Sequence, residues 1–318
     1  MRGFEEERTL ALASVAALPG WSDRRLQAEP AIPVLASPSW RGIDGAPWRV
    51  RDMENGGSLF VKIMDADAAF YIDVATAFLA ARRAADIGVG PRVLAADVAS
   101  GVLVMEDLNQ GWRVGGLERL LDPAIVDAAL AARAAFGASG PLPKTAGVFD
   151  EIERFYADAK TAGAQLPSDI EFLVEELRFA GAALNGAEIE KAPIHGDGNV
   201  SNLLISDAGE VRLIDFDRAT MADPLEDVGS FLAEAFEQEP EARAAFSRHC
   251  PGLGDAAFNR ARVYGVADDL RCGLIGAVVA AKSPRKTHEF YKFASWRFLR
   301  CRMAARAPRF GEQLRGMI

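Results

Sequence analysis

The sequence predicts an α+β chain in two parts: a small antiparallel sheet with one helix over residues 1–108, and a mostly helical part over residues 109–318. Two observations carry this. Before Met105, short β-prone runs alternate with Gly-containing turns and are broken by one Ala-rich segment. After Leu117, apolar residues recur at helical spacing over long segments, interrupted by a pair of short β-prone runs between residues 203 and 214.

The elements follow in order. Glu5–Ala17 reads as a helix ended by Pro19-Gly20, and residues 30–47 as loop with short strands, because they are rich in Pro, Gly and Ser. Trp48–Arg51 and Ser58–Met64 are strands, joined by the hairpin chemistry of Glu54-Asn-Gly-Gly57. Ala66–Asp86 is Ala-rich and helical, and Gly88-Val-Gly-Pro91 stops it. Arg92–Ala96 and Gly101–Met105 are two further strands around a turn at Ala99-Ser-Gly101. Helices are then expected over 117–121, 123–136, 148–162, 169–184, 224–237, 255–282 and 287–306. Their apolar stripes, as in residues 124–133, are core-facing surfaces.

Composition narrows the function. A chain of 318 residues, half hydrophobic and a quarter charged, is long enough for one large domain or two lobes. A net charge of -9 disfavours a nucleic-acid partner, which requires a basic footprint. Cys250, Cys272 and Cys301 are odd in number and show no C-x-x-C spacing, so they read as reduced thiols. The acidic cluster after Met1 does not fit a signal peptide, and the apolar patch Cys272–Ala281 is too short to span a bilayer. The expectation is a cytoplasmic protein with no membrane or nucleic-acid partner; composition leaves the oligomeric state open.

The chemistry is concentrated in His195-Gly-Asp197-Gly-Asn-Val-Ser-Asn202 and Leu213-Ile-Asp215-Phe-Asp217. Leu203–Ile205 and Val211–Ile214 are β-prone, with turn chemistry at Asp207-Ala-Gly209 between them. A hairpin there makes Asn202 and Asp215 neighbours. Asp197 precedes it in a loop flanked by Gly196 and Gly198. Two carboxylates and an amide so arranged suit transfer of a phosphoryl group from Mg-ATP to a hydroxyl: one carboxylate receives the proton, and the amide and the other carboxylate hold the metal. An isolated Asp-x-Asp is ordinarily a solvated turn; the ordered set is far more specific. Lys62 interrupts the apolar run Phe60–Met64, and a lysine there requires a partner such as an anion.

His195-Gly-Asp197-x-x-x-x-Asn202, Ile214-Asp-Phe-Asp217 and Asp223-Pro-Leu-Glu-Asp227 resemble motifs of the aminoglycoside phosphotransferase and choline kinase superfamily. The resemblance extends from about Trp48 to Arg302 and is strongest over residues 193–232. It implies a protein-kinase-like two-lobe fold, with ATP and Mg²⁺ as cofactors. By resemblance Asp197 is the catalytic base, Asn202 and Asp215 are metal ligands, and His195 and Asp227 brace the loop. Asp217 has three readings: a second metal, the substrate, or a turn carboxylate. Lys62 becomes the phosphate-binding lysine, and Glu106-Asp-Leu108 the hinge whose backbone meets the adenine. Two features depart from the pattern. No acidic residue lies between Ala75 and Ala85 to pair with Lys62, so Asp73 or Asp86 is the expected substitute, and Gly42-Ile-Asp-Gly45 matches a phosphate-covering loop poorly.

The late segments 267–278 and 290–300 resemble those of choline and ethanolamine kinases, where tryptophans help cage a trimethylammonium group. Here Cys272 and Ile275 stand at those positions, and Phe293 where a cage tyrosine is expected. Asp268 and Asp269 offer an alternative anchor for an ammonium group, or else face solvent on an amphipathic helix. Tyr291, Trp296 and Trp112 are further pocket candidates. The reading is an ATP-dependent kinase acting on a small hydroxylated acceptor, amine-bearing in preference to a sugar or polyol. The alternative is a catalytically silent nucleotide-binding regulator.

Overall fold

A computed structural model describes residues 2–31, 44–184, 188–285 and 289–317. The chain begins with α1 (Phe4–Ala16), whose first turn carries Glu5, Glu6 and Glu7 where the helix dipole favours negative charge. Strands β1 (Leu26–Pro30), β2 (Gly45–Asp52), β3 (Ser58–Met64), β4 (Val93–Asp97) and β5 (Val102–Glu106) form one antiparallel sheet in the order β1-β2-β3-β5-β4. Alternation sorts its residues by face. Trp48, Val50, Leu59, Val61, Ile63, Val102 and Val104 pack with Ala11 and Val15 of α1. Met64, Leu103 and Met105 join the larger core with α2 (Val74–Asp86). Lys62 belongs to this second face, with Leu103 opposite it on β5.

The sheet bears out the four strands expected before residue 108 and adds β1, whose Leu-Gln-Ala-Glu-Pro composition carries little β signal. The single helix expected over 66–86 is corrected. A short 3₁₀ turn covers Ala66–Ala68, and α2 begins at Val74, because the Asp73 side chain accepts the Thr76 N–H at 2.7 Å and caps a new helix there.

The rest is mostly helical. It comprises β6 (Trp112–Val114), α3 (Pro123–Gly137), α4 (Val148–Thr161), α5 (Ile170–Leu184), β7 (Ala192–Ile194), β8 (Leu203–Ser206), β9 (Val211–Leu213), β10 (Thr220–Ala222), α6 (Pro224–Ala235), α7 (Glu239–His249), α8 (Asp255–Lys282), α9 (Phe290–Ala305) and α10 (Pro308–Arg315). Helix α8 is the axis, packed by α4, α6 and α9. A side chain at Gly229 would run into the Ala261 carbonyl, so glycine lets α6 lie directly against α8. That contact fixes Glu226 and Asp227 behind the site. Strands β6, β7 and β10 and helices α7 and α10 are additions to the sequence reading; all are short, and α7 is largely polar. Among the described residues, no helix is long and apolar enough to cross a membrane.

Candidate active site

The hairpin forms as its sequence predicts. β8 and β9 pair antiparallel, and the turn closes at Gly209 with φ +85°. The Ile214 N–H donates to the Asn202 carbonyl at 3.0 Å, so Asn202 and Asp215 flank the same rung. Among the described residues, Asp215 is the non-glycine residue with positive φ, at 67°. This left-handed geometry, which Asp tolerates better than most residues, turns its carboxylate toward the sheet. Lys62 Nζ lies 2.7 Å from Asp215 Oδ1 and 2.5 Å from Asp217 Oδ2.

The partner expected for Lys62 is therefore corrected. Asp73 is occupied as the cap of α2, and Asp215 with Asp217 neutralise the ammonium. Burial alone would favour neutral Lys62, but these two carboxylates outweigh it and hold the ammonium protonated well above the usual range. Burial and the adjacent Asp215 charge push Asp217 up to about 7. Asp215 is held low, because Lys62 more than offsets its burial. Asp44 completes the group: carboxylate oxygens of Asp44, Asp215 and Asp217 all lie within 4.8 Å of one another. Asp44 also accepts a hydrogen bond from the Tyr71 hydroxyl. Sequence reading noted Asp44 only as part of the glycine loop; Gly42 and Ile43 of that loop lie outside the described residues.

The loop carrying Asp197 is clamped from behind. Asp227 accepts from the N–H of His195 at 3.3 Å, the N–H of Gly196 at 2.9 Å and Arg133 Nη1 at 2.8 Å. Arg133 Nη2 donates to the Asp197 carbonyl at 2.7 Å. His195 Nε2 donates to the Ile214 carbonyl at 2.8 Å, tying this loop to the hairpin, while its Nδ1 is buried without a partner among the described residues. Burial, then the Arg133 charge, lowers the His195 pKa, so the ring is neutral with its proton on Nε2. Gly196 has φ +76°, and a side chain there would meet the Arg218 carbonyl at 2.5 Å. Asp197 Oδ1 accepts the Asn199 N–H at 2.8 Å, and Oδ2 faces Arg218 Nη1 at 3.7 Å.

A cavity of about 850 Å³ opens between the sheet and the hairpin. Lys62, Glu106, Leu108, Trp112, Asn202 and Asp215 all line it. The Glu106 N–H is taken by the Arg92 carbonyl at 2.9 Å and its carboxylate by the Arg92 N–H at 2.7 Å. The Leu108 backbone has no hydrogen-bond partner among the described residues. Arg49 holds Asp107 through Nε at 2.6 Å at the cavity edge.

The late helices differ from expectation. Asp268 and Asp269 are both buried rather than solvent-facing, and neither is free to anchor an ammonium group. Asp268 accepts from Arg218 Nη2 at 2.5 Å and Arg271 Nη2 at 2.7 Å. These two guanidinium groups outweigh its burial and hold it far below the ordinary carboxylate range. Asp269 faces Arg297 Nη1 at 2.9 Å and Arg300 Nε at 3.2 Å, and burial pushes it up to about 6. Phe293 is buried, and its ring would contact any side chain placed at Gly276. Tyr291 and Trp296 are 45% and 51% exposed, on the outside of α9. Ile275 and Cys272 are buried, and the Cys272 thiol meets Arg218 Nη1 at 3.0 Å. Arg218 and Arg271 escaped sequence reading, although an arginine inside the apolar run of α8 is itself a signal of a buried partner.

The chain thus joins a small antiparallel sheet to a helical body, with a polar hairpin facing the cavity and a clamped aspartate loop tied to that hairpin through His195. This is a kinase-like arrangement. Residues 39–262 match the sequence model of the phosphotransferase enzyme family, and the chain belongs to that family. No curated protein matches it in sequence. Among solved structures it is similar to a choline/ethanolamine kinase family protein from Mesorhizobium loti, with TM-score 0.79, 24% identity, and 97% of this chain and 98% of that one covered. A choline kinase from Streptococcus pneumoniae, also solved in complex with AMP, superposes with TM-score 0.76 at 13% identity, covering 94% of this chain and 98% of that one. The aminoglycoside phosphotransferase APH(4)-Ia gives TM-score 0.59 at 14% identity, covering 94% and 97%. The fold is the protein-kinase-like fold these enzymes share.

Proposed function

We propose that the protein transfers the γ-phosphoryl group of ATP to a hydroxyl of a small molecule. One observation carries the reading: Lys62 from the sheet, and Asn202 and Asp215 from the two sides of one hairpin, line a single cavity. Its volume of about 850 Å³ lies within the usual range for ligand pockets. In this reading the nucleotide sits between residues 1–108 and 109–318, with the adenine at the Leu108 backbone and the phosphates at Lys62. Asp197 accepts the proton of the acceptor hydroxyl as its oxygen bonds to phosphorus and the bond to ADP breaks. His195 and Asp227 hold the Asp197 loop in place.

Asp215, Asn202, Asp44 and Asp217 offer oxygen ligands only, a set that suits a hard cation. Bound there, Mg²⁺ would neutralise charge on the phosphates. The missing tryptophans at Cys272 and Ile275 argue against a trimethylammonium cage.

Titration calorimetry with ATP is expected to show binding that depends on Mg²⁺, and a screen of hydroxylated compounds to show ADP release. Absence of binding at millimolar ATP would sink the reading. Binding without turnover on any acceptor would favour the silent regulator.

A further inference from the structure

The hinge between the sheet and the helical body is braced by one carboxylate. Asp107 Oδ2 accepts from Arg49 Nε, the Ser58 hydroxyl and Asn109 Nδ2, each at 2.6 Å, and Oδ1 accepts from Arg49 Nη2 at 3.1 Å. Asn109 Nδ2 also donates to Ser58 Oγ at 2.9 Å, and the Asn109 N–H to the Asp107 carbonyl at 2.9 Å. Arg49 and Ser58 belong to β2 and β3, whereas Asp107 and Asn109 flank Leu108. The two-pronged Arg49 contact fixes direction as well as distance. The Asp107 side chain is 4% exposed, so this is not a solvated surface pair of little worth. Burial alone would raise the Asp107 carboxyl, but the Arg49 and Ser58 hydrogen bonds outweigh it and hold the group below its usual range.

All of these residues, with Leu108, line the cavity that also holds Lys62 and Asn202. The Leu108 backbone, which has no partner among the described residues, therefore lies between two residues tied to the sheet. A loose hinge would have to be ordered when a ligand arrives, at a cost in affinity; a hinge ordered beforehand avoids that cost. We infer that Arg49 is a positioning residue for the nucleotide base: acting through Asp107, it presets the Leu108 backbone in the conformation that meets the base. This rests on the kinase reading above and assigns to side chains of β2 and β3 a part in base binding that the hinge sequence alone does not show.

The test measures Mg-ATP binding by calorimetry, with adenosine and inorganic tripolyphosphate as competitors that carry the base side alone and the phosphate side alone. Arg49→Met should weaken ATP and adenosine by the same factor, about tenfold, the scale of ordering one backbone residue on binding. Tripolyphosphate affinity should stay at the parent's value. Arg49→Lys, which keeps the charge and one hydrogen bond, should recover part of the loss. In an Asp107→Ala background, Arg49→Met should cost about twofold at most, because the pair it breaks is already gone. An undiminished further loss in that background would put Arg49 on the ligand itself and overturn the inference. So would unchanged ATP affinity in Arg49→Met, an ATP loss that adenosine does not share, or an equal loss for tripolyphosphate. If the methionine variant does not fold, Arg49→Lys decides by the same comparison: a shared ATP and adenosine loss with tripolyphosphate spared supports the inference, and no loss or a uniform loss overturns it. If tripolyphosphate does not compete with the parent protein, the match between ATP and adenosine decides. A parent protein that fails to bind Mg-ATP would defeat the kinase reading and this inference with it, whereas parent-like Mg-ATP binding by Arg49→Met defeats the Arg49 assignment alone.

Discussion

Arg271 is fully buried, with Glu151, Glu226 and Asp268 on its nitrogens and the Gly196 carbonyl at 3.0 Å from Nη2. Lys62 sits at the cavity wall with two carboxylates on one ammonium and a third, Asp44, beside them. Both are clusters of opposite charge, yet they differ in access and balance. The Arg271 cluster is shut away from water, and it joins α4, α6 and α8 behind the loop at Gly196. The Lys62 cluster has more acid than base, and its Asp215 side chain is 31% exposed. A closed cluster holds a shape; an open, acid-rich one can accept another cation.

Four experiments would break or sharpen this contrast. Asp197 adjoins the closed cluster through Gly196 and Arg218, but its proposed work is chemical. Asp197→Asn is expected to cut turnover by roughly 10²–10⁴-fold while Mg-ATP affinity in calorimetry is kept. Lost nucleotide binding would show that Asp197 belongs with the open cluster instead. Arg271→Met should act on stability, by about 3–5 kcal/mol in denaturant unfolding, because three buried carboxylates lose a common partner. A change under about 1 kcal/mol would mean that the closed cluster is not what holds this part together.

Lys62→Met should do the reverse. Nucleotide affinity should weaken about tenfold or more, the scale of a lost charged hydrogen bond. The stability change should stay well below that of Arg271→Met, since Asp217, already pushed up to about 7, can take a proton. Equal destabilisation by the two variants would erase the contrast. The smallest effect concerns His195. Its folded pKa is depressed by burial and by Arg133, so below its ordinary value near 6.5 the unfolded chain takes the proton first. Stability is therefore lost as pH falls from about 6.5. Melting curves from pH 7.5 to pH 5 should fall less steeply for His195→Gln, which keeps a donor for the Ile214 carbonyl. An unchanged slope would sink the assignment of a neutral ring.

The hairpin, Asn202 and Asp215 were legible in the sequence because their proximity is set locally, by two β-prone runs and a turn. The partners of Lys62 were not, since Asp215 and Asp217 lie 153 and 155 residues further along. Lys62 itself stands out in the sequence because it interrupts an apolar run, which implies a strand covered on both faces. In fact alternate residues pack under α1, and the others face the cavity and α2. Asp268 and Asp269 failed for a geometric reason. Successive residues on a helix point about 100° apart, so adjacent carboxylates meet different elements. On α8, which is buried on nearly every side through its middle, apolar periodicity could not say which.

The backbone at Asp215 bears on how this site can be dissected. With φ at 67°, the position admits few side chains without strain: Gly, Asn and Asp adopt such angles readily, and β-branched residues do so at a cost of order 1–3 kcal/mol. The position thus passes two independent filters, one of main-chain geometry and one of charge. Only an isosteric exchange such as Asp215→Asn alters the second without the first. A valine scan through residues 213–217 would confound the two, and would record a folding defect as though it were lost chemistry.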